Sequence, residues 1–242
     1  MKCLNLKKTI SPLALFLFTV FADAKVVDTS TLFWNSFLYV DYSYGTSYLT
    51  LSKINRDYID AFAKPWLFKS NLHWSEVFLP TIGIPFGNSI VSLGFYCLHM
   101  KDKGEAITIG SETYQNYFFL DYYSCEIEYR RCFRVNKFLL LNPGLCGFYG
   151  KGYLFVGTQS FYESNKSVDE LITAEGGGAG VFFESLLQYK SMVIGPRIGI
   201  NVGLTNALKT RSAGEWIPSV YNMKINLDLS GFYILLKIGF LI

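Results

Sequence analysis

Residues 192–204 read MVIGPRIGINVGL, and from Ile194 they separate into two interleaved sets: Ile194, Pro196, Ile198, Ile200, Val202 and Leu204 against Gly195, Arg197, Gly199, Asn201 and Gly203. Successive side chains of a β-strand point to opposite faces. One face of this segment is therefore wholly apolar, and the other is glycine plus two polar groups. Two solvents accommodate such a strand. A soluble sheet turns the apolar face inward onto a core, and a barrel in a membrane turns it outward onto lipid.

The N-terminus favours export. Lys2, Lys7 and Lys8 precede the apolar run SPLALFLFTVF, and Ala22-Asp23-Ala24 places small residues in an A-x-A arrangement. This predicts a signal peptide over residues 1–24, cleaved after Ala24, followed by one domain over 25–242. The apolar run from Leu13 to Ala22 falls short of the ~20 residues a membrane-spanning helix needs.

Composition then points to lipid. The formal net charge is +3 and three of the lysines sit in the leader, so the exported part is close to neutral, which argues against a nucleic-acid partner. The 21 Phe and 17 Tyr exceed what a core of this size requires and suit a membrane–water boundary. The charged fraction, 17%, lies below the ~25% of soluble domains. Val77 to Met100 carries no Asp, Glu, Lys or Arg, but Pro85-Phe86-Gly87-Asn88 is turn chemistry, so the stretch reads as two strands and a turn.

Polar, charged segments near 52–63, 102–112, 161–175 and 206–217 alternate with short turn candidates at Pro85–Asn88, Arg134–Lys137 and Lys190-Ser191. Four long and three short connections make eight strands with both ends on one side. The expected strands run near 33–51, 64–84, 89–101, 113–133, 138–160, 177–189, 192–205 and 218–242. The fold class is all-β, a transmembrane antiparallel up-and-down barrel of eight strands with long loops on one side. Ten strands is the alternative, with an extra hairpin at Ser230-Gly231 and another break near Tyr44-Gly45-Thr46-Ser47.

A two-residue turn at Lys190-Ser191 pairs Tyr189 with Met192 and fixes the register beyond it. Leu187 then faces Ile194, Phe183 faces Ile198 and Val181 faces Ile200. On the other face Glu184 lands opposite Arg197, and opposite charges on paired positions attract. This pair, with Asp41, Ser43, Glu126, Glu128, Gln188, Asn201 and Lys237, is expected to point into the lumen as a structural ion-pair plug. Asp121 breaks the apolar parity of Tyr117, Phe119, Tyr123, Cys125, Ile127 and Tyr129, which predicts that it stands above the lipid. In the last stretch Tyr221 to Leu229 and Phe232 to Ile242 alternate in opposite phase, so a bulge at Ser230-Gly231 is expected to flip the faces.

The remaining chemistry is sparse. Cys97, Cys125, Cys132 and Cys146 match no zinc spacing. If the turn near Arg134–Lys137 pairs Phe133 with Phe138, Cys125 falls opposite Cys146; otherwise the thiols pack as small hydrophobes. His73 lies in NLHWSE and His99 in CLHM, and neither has a base-orienting acid nearby in sequence on its own face. Gly176-Gly177-Gly178-Ala179-Gly180 lacks the Lys-Ser/Thr of a phosphate loop and reads either as a place where a strand curves or as room for a bulky lumenal neighbour. No metal, cofactor or catalytic residue is assigned.

The dyad repeats, the leader and the ending Lys237-Ile238-Gly239-Phe240-Leu241-Ile242 together resemble bacterial outer-membrane β-barrels, the small eight-stranded kind of OmpX or OmpW being nearest in plan. The terminal strand looks like the signal such proteins present to the barrel-assembly machinery, although it closes on Ile242 where the family pattern closes on an aromatic residue. The resemblance implies a location in the outer membrane of a Gram-negative-type envelope. Eight strands leave an interior just wide enough for side chains or one small ligand, so a general diffusion pore is not expected. The expected function is non-catalytic: surface interaction or adhesion through the long loops, towards a host or envelope ligand, or passage of a small solute. The alternative is a lipid-modifying barrel enzyme using His73 or His99. A third reading, a secreted soluble β-sandwich, would remain in the aqueous phase on detergent partitioning.

Overall fold

The computed structural model describes residues 36–51, 74–103, 107–109, 112–160, 170–207, 209–210 and 226–242. The expected leader with its cleavage point at Ala24, and His73, lie outside the described residues. Eight long strands carry the fold: β1 (Tyr39–Leu49), β2 (Trp74–Phe86), β3 (Ser89–Lys103), β4 (Glu112–Arg131), β5 (Leu139–Ser160), β6 (Glu170–Tyr189), β7 (Met192–Ala207) and β8 (Gly231–Leu241). Each pairs antiparallel with the next, and β8 returns to β1 from Tyr39↔Leu241 to Leu49↔Gly231, so the sheet closes. Closure leaves no unpaired edge, the condition a sheet must meet in hydrocarbon. Short strands at Ile107–Ile109, Phe133–Arg134, Lys209–Thr210 and Asn226–Asp228 extend single partners.

The three short connections and both described chain ends share one side. There Leu38 N donates to Ile242 O at 3.1 Å, and Ile242 N donates to Leu38 O at 2.9 Å. Two of the turns are two-residue hairpins, Phe86↔Ser89 and Tyr189↔Met192. Each sets its first turn residue at positive φ, Gly87 at 55° and Lys190 at 53°. Glycine adopts that conformation without a Cβ clash; lysine does not. Replacing Lys190 with glycine is expected to raise the unfolding free energy by up to about 1 kcal/mol, read as a higher urea midpoint in micelles.

The third turn differs from its expected register. Asn136 Oδ1 accepts from Phe138 N at 2.8 Å and Leu139 N at 2.9 Å, which tightens the loop and pairs Phe133 with Leu141 instead of Phe138. Cys125 consequently lies opposite Tyr149, and Cys146 opposite Glu128. Cys125 faces outward and Cys146 inward, so no bridge joins them, and all four described cysteines are free.

The β7 strand lies as its dyad pattern demands. Ile198, Ile200 and Val202 are 50%, 53% and 68% exposed, whereas Arg197 is fully buried. The same inversion runs round the barrel: Ile82, Leu93, Ile127, Leu145, Val181 and Ile234 lie outside while the charges lie within. A soluble barrel has the opposite dress.

The expected face flip at Ser230-Gly231 does not occur. Leu227, Leu229, Tyr233, Leu235 and Lys237 all point inward, and the register shift falls between Asn226 and Asp228 instead. The phase change in sequence reflects a change in lumen content. The loop-side half of the interior is uncharged and largely apolar among the described residues, with Ser47, Ser75, Ser124 and Thr205 as its small polar members, so Leu227 and Leu229 fill it, while Lys237 meets a charged layer lower down. The chain also runs through Tyr44–Ser47 without a break, which leaves eight strands and not ten.

Candidate functional site

The lumen is filled in three layers. At the short-turn end Tyr39, Ile90, Cys132, Leu140, Leu186, Val193 and Leu241 form an apolar cap. At the loop-side end a larger apolar and aromatic cluster includes Leu49, Leu79, Tyr96, Leu120, Tyr122, Phe148, Leu154 and Leu227. Between them lies a compact charged network of Asp41, Glu126, Glu128, Glu184, Arg130, Arg197 and Lys237, each 3% exposed or less.

Strand periodicity brings these groups together, since every member sits at an inward position of β1, β4, β6, β7 or β8. Arg197 Nη2 donates to Glu126 Oε1 at 3.2 Å, and its Nη1 donates to Glu128 Oε1. The same side chain donates to Tyr233 Oη at 3.1 Å and lies over the Phe182 ring at 3.9 Å. Arg130 reaches Glu128, Asp41 Oδ2 at 3.1 Å, Glu184 Oε1 at 3.4 Å and Ser92 Oγ at 3.1 Å. Lys237 Nζ sits 2.6 Å from Glu184 Oε1 and 3.0 Å from Asp41 Oδ2, and Asn142 Nδ2 donates to Glu184 Oε2 at 3.1 Å.

Glu184 and Arg197 are directly paired in the register, yet their nearest charged atoms are 3.8 Å apart, and each makes closer contacts elsewhere. Asn201 lies apart from the charges, accepting from Cys146 Sγ at 3.8 Å. Gln188 belongs to the short-turn rim, where its Oε1 accepts from Arg134 Nη2 at 2.8 Å. Arg130 joins the lumen beyond the expected set. It shares the parity of Glu126 and Glu128, so the signal was present in the alternation itself.

Glycines make room for the rings that separate the charges. A Cβ at Gly144 would lie 2.2 Å from Phe182 Cζ, and one at Gly199 would lie 2.4 Å from Tyr233 Cζ. Gly144→Ala must therefore displace the ring against which Arg197 stacks. It is expected to cost about 1–3 kcal/mol, the range for overpacking a filled interior, measured as a lower urea midpoint. Gly203 serves Phe148 in the same way, with a Cβ there 2.9 Å from Phe148 Cζ.

Among the described residues, charge reappears outside only towards the strand ends. On the loop side His99 Nδ1 lies 2.5 Å from Asp121 Oδ1 on directly paired positions, Lys151 Nζ lies 3.2 Å from Glu175 Oε1, and Asn206 Oδ1 accepts from Glu175 N at 2.9 Å. Asp121 points outward, as its parity predicts. On the short-turn side stand Arg131, Arg134, Lys137 and Lys190. Along β4 the stretch between Asp121 and Arg131, residues 122–130, turns only Tyr123, Cys125, Ile127 and Tyr129 outward, and it matches the ~9–11 residues that a tilted strand needs to cross. An apolar belt of bilayer height, bounded by polar girdles around a closed sheet, is the surface of a protein that lipid covers.

The architecture is that of a small outer-membrane β-barrel. Among solved structures, this barrel is similar to Ail, the attachment invasion locus protein of Yersinia pestis, with a TM-score of 0.34 and 14% sequence identity over 85% of this chain and 97% of that one. No family model matches the sequence, and no curated protein matches it.

Proposed function

We propose that this chain is a non-catalytic barrel of the bacterial outer membrane that acts through its four long connections and raised strand ends, which contact a host surface or another envelope component. One observation carries the reading: the interior is packed in three layers, and Arg130, Arg197, Glu128, Glu184 and Lys237 within it are wholly inaccessible. A filled barrel wrapped in lipid leaves its loop side as the surface a water-borne partner can reach. Cells displaying the barrel should adhere to host cells or to envelope fragments. Shortening the connections at 52–72 and 211–224 should bring adhesion down to that of cells without the protein, while undiminished adhesion would contradict the reading. Passage of a small solute is disfavoured by the same packing, and reconstitution into planar bilayers should give no unitary conductance.

The C-terminal strand presents Phe240 and Ile242 on the outer face, and we assign it the role of meeting the assembly machinery. Replacing both residues with alanine should reduce the folded protein recovered from the membrane.

One observation favours the lipid-modifying alternative, namely the imidazole of His99 held by Asp121 near the membrane boundary. Acyl transfer also needs a nucleophile within reach of that ring, and none of the described hydroxyls or thiols bonds to it. Substituting both His73 and His99 with alanine should leave the acyl composition of lipid A and phospholipids unchanged. A changed composition would restore the enzyme.

A further inference from the structure

The lipid-facing wall carries a furrow of about 680 Å³ that runs obliquely across β4 to β8. Two rows of outward side chains flank it, one from Tyr129 to Phe232 and one from Arg131 to Ile234, and Gly144 and Gly199 lie in its floor. Arg131 ends β4 at the short-turn rim, whereas Phe232 and Ile234 lie near the loop-side start of β8. The furrow therefore climbs through the apolar belt with its lower mouth at a guanidinium.

That mouth is cationic. Arg131 is exposed, lies over the Phe133 ring at 5.7 Å, and has no carboxylate within ion-pair distance among the described residues. Arg134, Lys137 and Lys190 stand on the same rim, while the exposed carboxylates of Glu76 and Glu175 and the partly exposed Asp121 belong to the opposite side. A second lipid-facing furrow, of about 420 Å³ near Ile82, Leu93 and Ile127, has no charged residue in its lining. An apolar trough opening onto an exposed guanidinium complements an anionic head with an acyl tail.

We propose that this furrow holds one anionic glycerophospholipid of the short-turn leaflet, with its phosphate on Arg131 and one acyl chain laid along the trough towards Phe232. The inference rests on the transmembrane reading, which the shift between boiled and unboiled samples on a gel checks separately for every variant. The test is native mass spectrometry of the barrel released from mixed phosphatidylethanolamine and phosphatidylglycerol vesicles. The wild-type protein should retain one phosphatidylglycerol. Arg131→Gln should lower that retention about tenfold or more, the effect of losing a charge-assisted hydrogen bond to phosphate. Ile200→Trp, which fills the trough without touching the cation, should lower it similarly, and Leu93→Trp in the second furrow should not. Retention of the two lipids in proportion to their abundance, or equal retention by folded Arg131→Gln and wild type, would overturn the proposal.

Discussion

Arg197→Leu is expected to lower the unfolding free energy of the barrel by about 3–5 kcal/mol, the range for removing one partner of a buried ion pair. Arg197 is the sole cation within reach of Glu126 among the described residues, and it also binds Glu128, which lies two positions further along β4. Without the guanidinium two carboxylates face each other in a closed layer, and Phe182 and Tyr233 lose the plane they pack against. Urea titration in phospholipid micelles, followed by tryptophan fluorescence, measures the loss. Adding Glu126→Gln should recover part of it, because the destabilisation arises from an uncompensated charge more than from a missing attraction. By contrast, Glu175→Gln, which breaks an exposed pair with Lys151, should fall within about 1 kcal/mol of wild type.

Ile198→Arg should be comparably damaging from the other side of the wall. Ile198 is half exposed and lies midway along the apolar stretch of β7 between Met192 and Leu204. A charge there meets hydrocarbon and is expected to cost about 2–4 kcal/mol, whereas Asn206→Arg, at the level of Glu175, should cost about 0–1 kcal/mol. This depth dependence separates lipid from a protein core, since a core rejects arginine at both positions. Refolding into vesicles followed by urea titration gives both values.

The barrel was legible because its strands obey one parity across most of their length. The alternation in MVIGPRIGINVGL and the Lys190-Ser191 turn are enough to place Glu184 opposite Arg197 and Val181 opposite Ile200, which is the register observed. What parity cannot supply is depth. Leu227 and Leu229 look like lipid-facing residues from their alternation with Asn226, Asp228 and Ser230, and only the packed interior reveals an apolar layer at that height. The Asn136 side chain resets the β4–β5 hairpin in a manner that turn spacing does not encode, and so separates Cys125 from Cys146. Within the lumen, the inward direction of each charge could be read from strand position, but its partner could not. Long arginine and lysine side chains choose among several carboxylates at similar distances, which is why Glu184 lies closest to Lys237, a residue from a strand it does not pair with.

A nitroxide placed in turn at 194, 198 and 200 in protein reconstituted into bilayers puts the most direct question to this account. The outward isoleucines should give labels that collide with molecular oxygen far more than with a water-soluble nickel complex, with the contrast greatest at 198 and reversed for a label at 206. Labels at those three sites that are shielded from both reagents, or that favour the nickel complex, would mean that lipid does not cover this wall.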